Sequence, residues 1–163
     1  MSRLEEIARQ VVETFSAKGA TLGTAESLTA GMIAAAVADI SGASAVLMGG
    51  IVSYDPKVKR DVLGVSQVVI DGVGVVSEAC AIQMAKGARN LLNTDIAISA
   101  TGIAGPTGGT EENPVGTVWL GVSGRKGTFA KKCHFEGDRQ SVREQSAQEA
   151  LSMALEMLLD ENR

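Results

Sequence analysis

Apolar residues recur at three- and four-residue intervals at Leu4, Ile7, Ala8, Val11, Val12 and Phe15. Residues 3–17 therefore read as an amphipathic helix, which Gly19 ends. A short extended run at 20–25 follows. It leads straight into an Ala-rich helix running from Ser27 to about Asp39. Residues 41–44 read as loop and 46–54 as a second strand, with Gly49-Gly50 as a bulge. Asp55 and Pro56 have the form of an N-cap and a first helical position, and Gly64 closes a short helix that reaches Leu63. Residues 64–76 are mixed, a loop with room for one helical turn. Ser77 caps the next helix, whose buried face carries Ala81, Met84, Ala85, Ala88 and Leu92. Residues 96–100 are apolar throughout, as in a buried central strand. A long Gly-rich loop covers 101–114. Strands at 117–122 and 128–135 form a hairpin about residues 123–127. Asp138 caps the last helix, with an apolar stripe of Ala147, Ala150, Leu151, Ala154, Leu155 and Leu158.

Helices alternate with strands over the first two-thirds, and a hairpin and a helix follow. That order predicts a three-layer α/β/α fold whose mixed sheet is mostly parallel, with an antiparallel strand at one end. The 163 residues suit one domain over 1–163. Aromatics are 3% of the chain against 45% hydrophobic residues, so aliphatic side chains and Met must fill the core. In such folds ligands bind beyond the carboxyl ends of the strands. Ser27, Tyr54 and Thr101 each follow a predicted strand and would share one rim.

Charge narrows the partners. The net charge is −4 and no basic run exceeds two residues, which argues against nucleic acid. The N-terminal residues lack an apolar signal region, and no run approaches transmembrane length. The two cysteines, Cys80 and Cys133, form no disulfide framework, so a reducing cytoplasm is the expected location. An apolar helix surface with few aromatics is compatible with a homo-oligomer.

The candidate chemistry starts at Ser27, a hydroxyl expected at a helix N-terminus, where free N–H groups favour an oxyanion or a phosphate. The same residue also fits an ordinary N-cap. Its base is not histidine. The one histidine, His134, sits in a strand beside Cys133, and neighbouring strand residues face opposite ways. One His and two distant Cys make no zinc site, and no Walker P-loop is present. Residues 72–77 lack the third glycine of a dinucleotide fingerprint. Lys59 is the natural substitute. It shares a helical face with Val62 and Leu63, so burial would lower its pKa toward that of a base. The alternative is a lysine stem lying on the core with its head in water. The Tyr54 hydroxyl can relay or orient a proton, or simply pack. Arg139 and Arg143, four apart, fit either an anion site or a solvated face. The loop from Thr101 is long for a connection, and its glycines would admit close approach of backbone amides to a ligand.

Three stretches carry a family resemblance: Ala25-Glu26-Ser27; Gly50-Ile51-Val52-Ser53-Tyr54 with Lys59 behind it; and Gly102-Ile103-Ala104-Gly105-Pro106-Thr107-Gly108-Gly109 continuing to Pro114-Val115-Gly116-Thr117-Val118. Together with Gly137-Asp138-Arg139 and Arg143 they resemble the CinA C-terminal domain, which also exists alone as a nicotinamide-nucleotide amidohydrolase. The likeness covers roughly residues 5–160. It implies hydrolysis of the carboxamide of nicotinamide mononucleotide to nicotinic acid mononucleotide and ammonia. The implied mechanism is Ser/Lys, with neither metal nor cofactor. Ser27 takes the nucleophile's place and Lys59 the base's, while Tyr54 and Arg143 match further polar positions. Thr29, Ala30, Gly31, Thr101, Gly102, Gly105 and Arg143 are the expected substrate-binding positions.

The sequence departs from that family at three points. Leu28-Thr29-Ala30-Gly31 replaces a common Cys-Thr-Gly-Gly, Pro56 stands where Asn is frequent, and Asn113 where Lys is. The rival expectation is a non-catalytic nucleotide- or partner-binding module of a competence or damage response.

Overall fold

A computed structural model describes residues 1–161. The domain expected over 1–163 also takes in Asn162 and Arg163, which lie outside the described residues. Helix α1 spans Arg3–Lys18. Its N-terminus is a capping box, with Glu5 N donating to the Ser2 hydroxyl and Ser2 N to the Glu5 carboxylate. The order then runs β1 (Leu22–Glu26), α2 (Met32–Ala38), a 3-10 turn (Ala43–Ala45), β2 (Leu47–Val52), α3 (Pro56–Asp61) and α4 (Gln67–Asp71). It continues with α5 (Glu78–Leu92), β3 (Ile96–Gly102), β4 (Thr117–Gly124), β5 (Gly127–His134) and α6 (Arg139–Glu161).

The five strands form one sheet in the order β2-β1-β3-β4-β5. β1 pairs parallel with both β2 and β3, while β4 is antiparallel to β3 and to β5. Helices cover both faces, as expected. α1, α2 and α6 pack on one side and α5, with α4 against it, on the other. The main core joins Val11, Phe15, Ile33, Ile98, Leu120 and Leu151, all fully buried. A smaller one under α5 joins Ala25, Leu63, Val65, Cys80 and Met84. β3 serves both cores, since its alternate residues face opposite ways: Ile96, Ile98 and Ala100 enter the larger, Ala97 the smaller.

Three details differ from the sequence-based expectations, and one open expectation is resolved. The chain does not pass directly from β1 into a helix: residues 27–31 form a turn, and α2 begins at Met32 with Gly31 as its N-cap. The irregularity in β2 falls at Met48, between the Leu22↔Leu47 and Gly23↔Gly49 pairs. Helix α4 is the one helical turn that the mixed stretch 64–76 left room for, capped by the Ser66 hydroxyl. β3 runs on to Gly102 because β4 pairs with it that far, opposite Val118.

The direction in which strands are added to the sheet changes at β1. From its carboxyl end the chain goes to β2 on one side, and β3 lies on the other. A crevice is expected at such a switch point. No helix among the described residues is long and apolar enough to cross a membrane.

Candidate active site

At that crevice lies a cavity of about 270 Å³, with Ser27, Leu28, Tyr54, Lys59, Thr101 and Arg139 on its wall. The glycine loop supplies Gly102, Gly105, Thr107 and Gly108, and Val75, Val76 and Ile103 add an apolar side. Gly105 is required for its backbone: its φ is +81°, and a Cβ there would lie 2.4 Å from Val115 Cγ1. Gly102 is required for proximity, since a Cβ would lie 2.5 Å from the Thr117 carbonyl. The Thr101 hydroxyl donates to the Val75 carbonyl at 2.8 Å and so ties the valine turn to the rim.

Lys59 reaches the cavity from α3. Asp55 caps that helix by accepting from Lys57 N, with Pro56 at its first turn. Lys59 is 1% exposed although it sits in a six-residue surface helix. Its Nζ lies 2.8 Å from Ser27 Oγ, 2.7 Å from the Ser53 carbonyl and 3.1 Å from the Tyr54 carbonyl. Burial lowers its pKa below the ordinary 10.5, while Cys80 and Asp55 nearby pull it back up. The helical-face reading holds for Leu63, which is buried, but not for Val62, which is 45% exposed. Cys80, fully buried, has its thiol pushed up to about 11 by desolvation.

The three partners of Lys59 fix what a neutral amine must do. Two are carbonyls, which only accept, so they take two N–H bonds. The remaining lone pair is left facing Ser27, the one partner that can donate. Loss of a proton from Lys59 thus turns its nitrogen into an acceptor for the Ser27 hydroxyl.

Ser27 is not the helix cap. Its amide donates to the Ala100 carbonyl at 2.9 Å, holding the residue to β3. Its carbonyl accepts from Ala30 N at 3.1 Å, closing a turn. Ala30 then adopts φ +46° and Gly31 φ +97°. A left-handed alanine costs roughly 1–2 kcal/mol, which burial of the Leu28 side chain, 4% exposed, offsets by about 2 kcal/mol. The first amides of α2 are occupied as well. Ile33 N and Ala34 N donate to the Glu26 carboxylate at 2.8 and 3.0 Å, with the Thr24 hydroxyl a third donor at 3.0 Å. The helix N-terminus expected to receive a substrate anion is filled by the chain's own carboxylate.

The turn uses the Ala30 amide internally, while the Leu28 and Thr29 amides have no acceptor among the described residues. Thr29, Ala30, Gly31 and Arg143, expected to bind substrate, are not part of the cavity lining. Thr29 is fully buried and its hydroxyl lacks a hydrogen-bond partner. Arg143 turns its guanidinium onto backbone instead, Nε donating to the Leu28 carbonyl at 2.9 Å and an Nη to that of Thr29 at 3.2 Å. The arginine facing the cavity is Arg139. It donates to the Gly105 carbonyl at 2.8 Å and to the Tyr54 hydroxyl at 3.1 Å. Tyr54 therefore gives its carbonyl to Lys59, while its hydroxyl accepts from Arg139.

A profile of the CinA C-terminal domain matches residues 4–158. The chain belongs to the CinA C-terminal domain family. The nicotinamide-nucleotide amidohydrolase PncC of Enterobacter agglomerans is 43% identical over 154 residues, 94% of each chain. A CinA-like protein of Geotalea uraniireducens (strain Rf4) is 46% identical over 139 residues, 85% of this chain but 33% of that protein. The chain thus spans about a third of that relative. Among solved structures, the competence/damage inducible protein CihA from Agrobacterium tumefaciens superposes with a TM-score of 0.91 at 38% identity, covering 100% of this chain and 98% of that one. Within this CinA domain Pro56 leaves the lysine network whole, because Asp55 caps α3 and the Ser53 and Tyr54 carbonyls still hold Lys59. Asn113 closes a local turn, exchanging hydrogen bonds with Thr110.

Proposed function

We propose that the chain hydrolyses the carboxamide of nicotinamide mononucleotide to nicotinic acid mononucleotide and ammonia, through an acyl-enzyme on Ser27 with Lys59 as general base. The observation that carries the reading is the 2.8 Å approach of a buried, desolvated lysine to the serine hydroxyl. A binding module has no use for that pair, and the relative named for this amidase matches along nearly its whole length.

Neutral Lys59 takes the Ser27 proton as Oγ attacks the carboxamide carbon. The carbonyl oxygen becomes an oxyanion, held by the Leu28 amide and its neighbour in the turn. The C–N bond breaks, and the proton on Lys59 passes to the departing nitrogen, giving ammonia. Water then attacks the ester, Lys59 takes its proton, and Ser27 leaves as the alcohol. The pyridine ring rests against Val75, Val76 and Ile103. Arg139, facing the cavity, pairs with the phosphate. Tyr54 holds Lys59 and Arg139 in place rather than moving a proton.

Purified protein incubated with the mononucleotide should release ammonia and the acid mononucleotide in equal amounts. Binding without turnover would support the nucleotide-binding alternative that the competence and damage names suggest.

A further inference from the structure

The 27–31 turn carries the nucleophile and its expected oxyanion donors, yet it is strained and short. Alanine and glycine in succession are left-handed. A conformation of that kind persists only where its surroundings over-determine it. Two charged side chains hold it, one from the distant helix α6 and one from the residue that immediately precedes the turn. Arg143, 115 residues from Leu28, binds two consecutive carbonyls of the turn with one guanidinium. Glu26, 1% exposed, binds the two consecutive amides at which the turn becomes α2.

We propose that Arg143 and Glu26 are positioning residues that grip this turn, so that Arg143 serves the reaction through backbone orientation and not by contact with the substrate. The chemistry of a peptide unit makes the link. N–H and C=O of one trans peptide point opposite ways. Fixing the Leu28 carbonyl on Arg143 therefore fixes the direction of the Thr29 amide, and fixing the Thr29 carbonyl does the same for Ala30. The Ala30 amide closes the turn onto the Ser27 carbonyl, so a freed guanidinium site would loosen the nucleophile itself. Lysine would not reproduce the grip, because Arg143 reaches the two carbonyls with two separate nitrogens of one planar fork, where an ammonium presents a single nitrogen. The cavity side of the cluster is left to Arg139, which splits the two arginines into one for the ligand and one for the fold of the site.

The inference rests on the amidase reading for its kinetic arm and stands apart from it in its exchange arm. Arg143→Lys and Glu26→Gln are compared with the unaltered chain on nicotinamide mononucleotide and on the phosphate-free riboside, with melting temperatures to confirm folding. We expect each variant to lose roughly 10²-fold in kcat, by the same factor on both compounds, with KM for the mononucleotide nearly unchanged. Amide hydrogen exchange at Ala30, whose N–H closes the turn on the Ser27 carbonyl, should speed up at the same time. A rise in KM for the mononucleotide alone, with kcat kept, would mean that Arg143 holds the phosphate and would overturn the proposal. So would unaltered exchange at the turn in both variants. If the unaltered chain releases no ammonia, the amidase reading falls, and the exchange rates alone decide whether the grip exists.

Discussion

Lys59 should write its own titration into both rate and stability. Its amine is 1% exposed and its pKa lies below 10.5 because burial penalises the ammonium. Below the folded pKa the base is protonated, so kcat/KM should rise about tenfold per pH unit as the pH climbs toward it, then level off. Stability moves the same way. Between the folded pKa and 10.5 the unfolded chain binds a proton that the folded chain does not, so unfolding becomes harder as pH rises, by at most about 1.4 kcal/mol per pH unit. Cys80 works in the opposite sense. Its thiol is raised from 9.0 to about 11, so the folded state holds the extra proton and stability falls with pH in that interval. Measurements from about pH 6 up to 9.0 therefore separate the lysine from the thiol. Ammonia release gives the rate profile, and urea unfolding at each pH gives the stability, for the unaltered chain and for Lys59→Met. The methionine fills the same space without the charge, so any rise in stability within that interval should vanish with the activity. A rate that falls as the pH climbs, or a stability that declines more steeply in the unaltered chain than in Lys59→Met, would refute the reasoning.

Further expectations attach to single positions around the cavity. Arg139→Ala should raise KM for the mononucleotide by roughly 10- to 100-fold, the loss of about 1.5–3 kcal/mol of charged hydrogen bonding, and leave the riboside unaffected in steady-state kinetics. Gly105→Ala meets Val115 Cγ1 at 2.4 Å in a left-handed conformation, and should cost about 1–3 kcal/mol in chemical denaturation. Ala30→Gly removes the strain at φ +46° but adds backbone entropy to the unfolded chain, for a net gain of roughly 0.5 kcal/mol by the same method.

The elements were legible where one local signal dominates. The 3.6-residue stripe of α1, the Asp55-Pro56 start of α3 and the Ser77 cap of α5 each appear as the sequence implies. Helix α4 was legible only as room for one turn without bounds, because Val68, Val69 and Ile70 are poor helix formers held by a single serine cap. The start of α2 was misplaced for a related reason. Nothing in an alanine announces a left-handed residue, so the turn ahead of Met32 stayed hidden.

At the site, local reasoning could pair Ser27 with Lys59, because Ser27 follows a predicted strand and Lys59 was placed on the apolar face of the helix that follows the second. It could not assign the arginines. Arg139 meets Tyr54 across 85 positions and Arg143 meets Leu28 across 115, and those contacts depend on how α6 packs over the sheet. Glu26 was read as one residue of a motif. Only the fold reveals it as a buried carboxylate occupying the helix start that had been reserved for substrate. Val75 and Val76 likewise join the cavity through the Thr101 hydroxyl.

The shared action of serine and lysine is tested most directly by a double-mutant cycle on ammonia release. Ser27→Ala and Lys59→Ala should each reduce kcat at least about 10³-fold, and the double variant should fall no further, because groups that act as a unit are lost together. Full activity in either single variant, or losses that multiply in the double, would contradict a common step at Ser27.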